Sequence, residues 1–77
     1  MIATHKIETI RFSQDFIILN IDGNELTIPL DKLSLRLKSA NDIERGVYKI
    51  SPSGYGIHWP LIDEDLSIDG IFRDFAK

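Results

Sequence analysis

The feature that most constrains the fold is an apolar run that leads directly into a tight-turn dipeptide. Residues 16–21 are apolar on both faces apart from one asparagine, which predicts a strand in the centre of a sheet. Asp22-Gly23 then supplies the positive φ values of a hairpin turn, and apolar and polar residues alternate beyond it as far as Pro29. Residues 6–12 mix β-branched and polar side chains and predict an earlier strand. This part of the chain therefore predicts three antiparallel strands joined by short turns.

The second half of the chain predicts helices and two further strands. Leucines at positions 30, 33 and 37 recur at helical spacing, and Ser39 can cap a short helix that ends at Gly46. Residues 47–51 and 55–59 predict a fourth and a fifth strand around a turn of Pro, Ser and Gly. Apolar residues at 68, 71, 72 and 75 form one stripe of a C-terminal helix capped by Ser67. The predicted class is α+β: one domain over residues 1–77, with a small antiparallel sheet of about five strands in the order β-β-β-α-β-β-α and helices packed on one face.

Size and charge limit what such a domain does. The chain has 77 residues and no cysteine, which excludes disulfides and thiolate metal sites. Because so small a domain buries only a small core, we expect it to gain stability from a protein partner, which is either another protein or a second copy of the chain. The net charge is −3, and five acids fall within the last fifteen residues: Asp63, Glu64, Asp65, Asp69 and Asp74. A basic protein surface is therefore the expected partner, and nucleic acid is not. Without a long apolar run or a secretory signal, we expect no membrane contact and a cytoplasmic location.

One segment carries a resemblance to a known family. Residues 54–70 read Gly-Tyr-Gly-Ile-His-Trp-Pro-Leu-Ile-Asp-Glu-Asp-Leu-Ser-Ile-Asp-Gly. They resemble the signature of a small bacterial family called domain of unknown function 2442, in which G-x-G-I-x-W-P precedes D-E-D-L-S-x-x-G. The resemblance implies a small α+β domain with no established activity, often encoded beside a protein of domain of unknown function 4160 in a toxin–antitoxin-type pair. It implies that this chain is the antitoxin-like or regulatory half, which binds its neighbour.

The segment divides into an expected protein-binding set and an expected structural set. The binding set is His58, Asp63, Glu64 and Asp65, and the structural set is Gly54, Tyr55, Gly56, Trp59, Pro60, Ser67 and Gly70. Gly54 should complete a turn, and Gly56 should allow a bulge or close packing against an aromatic ring. Tyr55 should share a strand face with Ile57 and Trp59, with Trp59 in the core and His58 on the opposite face. The alternative to a binding role for the acids is structural: Asp65 and Ser67 would cap the last helix, and Asp63 and Glu64 would lie in solvent.

Three functions remain open at this point, and a protein-binding module is favoured. The second is a small metal-dependent or hydrolytic enzyme that uses His58 and nearby carboxylates. It needs a group that orients His58 and a deep substrate cleft of about 300 Å³ or more, and we do not expect such a cleft in a domain this small. The other histidine, His5, is expected at a frayed end. The third is a DNA-binding autoregulator, in which dimerisation brings together basic residues such as Lys6, Arg11 and Arg36. The sequence assigns no catalytic residue, metal site or cofactor.

Overall fold

The structure is a computed structural model that describes residues 5–75. These residues contain six strands and four short helices. In chain order the elements are β1 (Ile7–Ser13), β2 (Phe16–Ile21), β3 (Asn24–Pro29), α1 (Leu30–Leu33), α2 (Leu35–Ser39), α3 (Asp42–Gly46), β4 (Lys49–Ile50), β5 (Gly56–Trp59), β6 (Glu64–Ser67) and α4 (Ile68–Phe75). The predicted α+β class is confirmed.

Strands β1, β2 and β3 form a first antiparallel sheet in that order, with β2 in the centre as predicted. Asp22 and Gly23 form the β2–β3 turn with φ values of 54° and 81°, the left-handed region that glycine adopts freely and aspartate tolerates. Alternate residues of β2 are fully buried: Ile17, Leu19 and Ile21. Their neighbours in the strand are more exposed, so one face of this sheet builds the core.

Strands β4, β5 and β6 form a second three-stranded antiparallel sheet, so the prediction of one sheet of about five strands is wrong. The helices α1 to α3 lie between β3 and β4 in the chain, and β4 pairs with β5 rather than with the first sheet. The prediction also missed β6, because Glu64–Ser67 is acidic and has little β propensity. Pairing with β5 makes it a strand after a turn in which Asp63 adopts a φ of 53°.

The core joins both sheets and three of the helices in one cluster. Its buried members are Ile17, Leu19, Ile21, Ile28, Leu30, Leu37, Ile57, Trp59, Ile68 and Ile71. Burying a side chain of this size stabilises the fold by about 1.5–3 kcal/mol, so this cluster is the main source of stability. Trp59 is fully buried, as the sequence predicts, and its Nε1–H donates to the Arg45 carbonyl at 3.1 Å.

Side chains cap the short helices in the middle of the chain. Ser34 is the N-cap of α2, and its Oγ accepts a hydrogen bond from a backbone N–H of that helix at 3.1 Å. The expectation that Ser39 caps the next helix is wrong, since Ser39 is the last residue of α2. Asn41 caps α3 instead, in a reciprocal capping box with Glu44 at 2.8 and 2.9 Å. None of the helices in residues 5–75 is long and apolar enough to cross a membrane.

A buried arginine ties these helices together. Arg45 of α3 is 8% exposed; its Nε donates to the Leu37 carbonyl at 3.0 Å and its Nη2 to the Lys38 carbonyl at 3.1 Å. Both carbonyls lie in the last turn of α2, and that of Leu37 also accepts a hydrogen bond from the Ala40 N–H at 3.2 Å. The guanidinium also lies 5.1 Å from the ring centroid of Phe12 in β1. Within residues 5–75, no carboxylate forms an ion pair with Arg45, so backbone carbonyls stabilise its charge.

Candidate functional site

The segment that resembles a family signature folds into the β5–β6 hairpin and the start of α4. The opposed residues are Gly56 and Ser67, Ile57 and Leu66, His58 and Asp65, and Trp59 and Glu64. Ile57 and Trp59 are buried in the core. His58 lies between them in the strand, so its side chain is on the opposite face, as the period of two predicts.

His58 and Asp65 are hydrogen-bonded to each other across the two strands. His58 Nδ1 lies 2.7 Å from Asp65 Oδ1. The two side chains are 41% and 76% exposed, so water screens their attraction. Lys49 of β4 lies opposite His58, which places a lysine, a histidine and an aspartate in one row across the sheet. The hydrogen bond orients the imidazole and leaves its Nε2 without a protein partner among the described residues.

A groove of about 560 Å³ lies beside this pair. Its lining is mostly apolar and includes Ile50, Pro52, Tyr55 and Leu66, together with His58 and Asp65. Gly56 also lines the groove, and the missing side chain there leaves room between β4 and β6. The groove is larger than the deep cleft of about 300 Å³ that we did not expect in a domain of this size, but it is open to solvent rather than deep. Tyr55 is 53% exposed and Ile50 is also exposed, so the groove presents apolar surface to solvent.

The other two residues of the predicted binding set make contacts within the domain. Glu64 is half-buried rather than solvated, and its Oε2 accepts a hydrogen bond from the Ser34 hydroxyl at 2.5 Å. The backbone carbonyl of Asp63 accepts a hydrogen bond from the Arg36 guanidinium, while the residue itself is exposed. These contacts hold the β5–β6 turn against α2. No group of three or more His, Cys, Asp or Glu side chains in residues 5–75 is arranged to hold a metal ion.

The two glycines at the start of the segment meet different constraints. Gly54 has a φ of 72°, and a Cβ built there would lie 1.8 Å from the backbone oxygen of His5. Gly56 forms no bulge, because its strand pairs with β6 in unbroken register. A Cβ at Gly56 would meet the Leu66 carbonyl at 3.4 Å rather than an aromatic ring. Gly54 is therefore required by the turn and by the close approach of His5, whereas a Cβ at Gly56 would make only an ordinary van der Waals contact.

Two expectations about neighbouring residues are wrong. Tyr55 does not share a buried face with Trp59, because it precedes β5 and its backbone N–H donates to Ser51 Oγ at 3.1 Å. Asp65 does not cap α4, because it lies within β6 and its carboxylate is hydrogen-bonded to His58.

The end of the segment forms the start of α4. Ser67 Oγ accepts a hydrogen bond from the Gly70 N–H at 3.1 Å, the contact expected of an N-cap. Pro60 follows the last residue of β5 and lies in the turn to β6.

His5 is a residue whose role the sequence did not reveal. Its Nδ1 lies 2.8 Å from Asp22 Oδ2, and its Nε2 lies 2.9 Å from Asp69 Oδ1. Its backbone N–H donates to the Ser53 carbonyl at 3.1 Å, and its ring lies 5.3 Å from that of Phe72. The expectation of a frayed end is therefore wrong at this position. No local pattern marks the residue, since one of its carboxylate partners is 64 positions away.

The two carboxylates favour the charged imidazolium. Hydrogen bonds to Asp22 and then to Asp69 raise the pKa of His5 above its ordinary value of 6.5, against a smaller opposing effect of burial. The hydrogen bond from His5, and then that from the Lys6 backbone N–H, lower the pKa of Asp22 below 3.8. Only the imidazolium has an N–H donor at both ring nitrogens, which matches the two contacts.

Comparisons with known proteins give the family but no activity. A crystal structure of a protein of unknown function from Rhodospirillum rubrum, at 2.75 Å resolution, is similar to this chain with a TM-score of 0.70 and 26% sequence identity. The match covers 92% of this chain and 88% of the other. No curated protein matches the sequence. The family model described as "Protein of unknown function (DUF2442)" matches residues 7–77, so the chain belongs to that family.

Proposed function

We propose that this DUF2442 protein is a protein-binding module that contacts its partner through the groove beside the second sheet. The observation that supports the proposal is the groove of about 560 Å³ that holds exposed apolar side chains next to the His58–Asp65 pair. A surface that combines exposed aromatic and aliphatic anchors with a polar border is typical of protein contacts. In this proposal Tyr55 and Ile50 supply apolar contact, and His58 and Asp65 give it polar specificity.

Charge selects the kind of partner. Asp63, Asp65, Asp69 and Asp74 are all exposed on β6, its preceding turn and α4. A second copy of the chain would bring these like charges together, whereas a basic protein surface would complement them. We therefore favour a different protein over a homodimer. The product of a neighbouring gene, as in a toxin–antitoxin-type pair, is the first candidate.

The proposed interaction takes place in the cytoplasm. The absence of cysteine suits a reducing compartment, where a small domain gains no stability from disulfides. Binding a partner that recognises only the folded state then adds to stability by mass action.

Co-expression with the product of the adjacent gene tests the proposal. We expect the two proteins to elute together in size-exclusion chromatography and to bind more weakly as salt concentration rises. Asp65→Lys should weaken the complex, because it reverses a charge beside the groove without removing a contact to the core. Asp15→Lys is the matched control, since Asp15 is equally acidic and exposed but lies in the β1–β2 turn and does not line the groove. Separate elution at micromolar concentration, or equal weakening by both variants, would contradict the proposal.

A second candidate is the enzyme that uses His58, and one observation favours it. Asp65 orients the imidazole from Nδ1, which is half of a general-base arrangement, and the groove lies next to it. Exposure of both side chains works against it, because water has free access to the pair. A thermal-melt series with Zn²⁺, Mn²⁺ and Mg²⁺ tests the metal-dependent form; it requires a shift in Tm that His58→Ala removes. The DNA-binding alternative gains no such support, because Arg11 is paired with Glu25 at 3.2 Å.

A further inference from the structure

His5 connects three parts of the domain that are distant in sequence. Its ring contacts the β2–β3 turn through Asp22 and helix α4 through Asp69. Its backbone contacts the β4–β5 connection, where Ser53 accepts its N–H and Gly54 lies against its carbonyl oxygen. Pro52 and Tyr55 flank those two residues and line the groove. His5 therefore links three parts of the domain: its ring joins the β2–β3 turn to α4, and its backbone lies against the segment that forms a wall of the groove.

The charges around His5 make this connection depend on its protonation. Asp22 and Asp69 are the carboxylates that face the ring, and Phe72 of α4 packs against it. Within residues 5–75, no lysine or arginine side chain forms an ion pair with either carboxylate; Asp22 has one further hydrogen bond, from the Lys6 backbone N–H. Among the described residues, the imidazole is the group that forms an ion pair with both carboxylates.

Neutral imidazole satisfies only one of the two carboxylates. It has one N–H donor, and its other nitrogen carries a lone pair. That lone pair would face a carboxylate oxygen at 2.8 or 2.9 Å, which is repulsive. Loss of the proton therefore breaks one of the two connections and leaves the other.

We propose that His5 is a pH-sensitive latch. When protonated, its ring joins the β2–β3 turn to α4 and so fixes its own backbone against the β4–β5 connection. When neutral, the ring releases one of the two carboxylates, and the groove wall that contacts the His5 backbone loosens. The charge-assisted contacts are complete below the pH at which His5 titrates in the unfolded chain, around 6.5. They are lost as pH rises through the higher value in the folded domain. The groove wall is thus ordered below about pH 6.5 and looser above the raised pKa of His5 in the folded domain. This inference is independent of what binds in the groove.

NMR spectroscopy of the intact domain tests the latch. The ring protons of His5 should titrate together with the backbone amides of Ser53, Gly54 and Tyr55. Exchange of the Gly54 amide, which donates to the Ser51 carbonyl at 2.8 Å, should quicken about two- to fivefold beyond the intrinsic pH effect, the size set by a solvent-exposed ion pair.

Two variants separate the latch from general destabilisation. Asp69→Asn keeps the shape of the side chain, and its amide can donate to the lone pair of neutral His5, so the extra pH dependence at Gly54 should disappear while the fold is retained. His58→Gln is the control, because it removes the other histidine and should leave the dependence unchanged. The latch is overturned if the amides do not follow the His5 titration, or if Asp69→Asn behaves as the unmodified chain.

Discussion

A single methyl group at Gly54 should be among the most damaging small changes in this domain. The residue adopts a φ of 72°, where an L side chain costs about 1–2 kcal/mol. A Cβ there would also lie 1.8 Å from the His5 carbonyl oxygen and 2.8 Å from its carbonyl carbon. Both atoms are backbone, so no side-chain rotation relieves the overlap. Separation of the two segments is required, and overpacking of this kind adds about 1–3 kcal/mol.

The expected cost of Gly54→Ala is therefore about 2–5 kcal/mol in total. A chain of 77 residues has a free energy of unfolding of roughly 4–12 kcal/mol, so this loss is a large part of it. Urea denaturation followed by tryptophan fluorescence measures the change, because Trp59 is the single tryptophan and is fully buried. The midpoint should fall while the slope stays near that of the unmodified chain.

Two other glycines provide matched controls. Gly23 has a φ of 81° but no atom within 4 Å of a built Cβ, so Gly23→Ala should show the backbone penalty alone, about 1–2 kcal/mol. Gly46 has neither a positive φ nor a close neighbour, and Gly46→Ala at the end of α3 should be neutral or stabilise by up to about 1 kcal/mol. If Gly54→Ala costs no more than Gly23→Ala, the close approach of His5 to the β4–β5 turn is refuted.

Three further changes test other parts of the fold. Arg45→Lys keeps the charge but not the fork that reaches two α2 carbonyls, and should lower the free energy of unfolding by about 2–3 kcal/mol in denaturant titrations; an unchanged midpoint would contradict the role given to Arg45. Ser67→Ala should cost about 1 kcal/mol by loss of the Gly70 contact, and Ser67→Asn should restore most of it if capping is the cause. Raising the pH through the raised pKa of His5 should lower the Tm slightly, because the charged contacts to Asp22 and Asp69 are lost when the imidazole loses its proton. His5→Gln should remove this dependence of Tm on pH, and a Tm that rises with pH over this range would refute the assignment.

The first sheet could be predicted because its signals are local. The run 16–21, the Asp22-Gly23 turn and the alternation after it each concern residues within a few positions of one another, and they specify a hairpin without reference to the rest of the chain. Burial of Trp59 and the start of α4 at Ser67 were predictable for similar reasons, namely size and capping chemistry.

The second sheet could not be predicted in the same way, because β6 forms a strand only by pairing with β5. Its residues Glu, Asp, Leu and Ser are typical of a loop, yet Glu64 is held by Ser34 and Asp65 by His58. The His5 contacts are harder still, since they join the two ends of the chain. Sequence reasoning thus placed His58 and Asp65 in the candidate set without the hydrogen bond between them, and it missed His5, whose backbone contacts the wall of the groove.

The family segment serves folding and surface chemistry through different residues, and this division decides how binding can be tested. Gly54, Trp59, Glu64 and Ser67 each make a contact whose loss would destabilise the domain, so a change at any of them would weaken binding through unfolding alone. Among residues 5–75, the side chains of His58 and Asp65 make no hydrogen bond to the core, and Asp65 is 76% exposed. Because surface positions of this kind usually change stability by less than about 0.5 kcal/mol, a loss of partner binding on altering them would report contact rather than folding. The sharpest single variant for the proposed interaction is therefore Asp65→Lys, with the free energy of unfolding measured on the same sample.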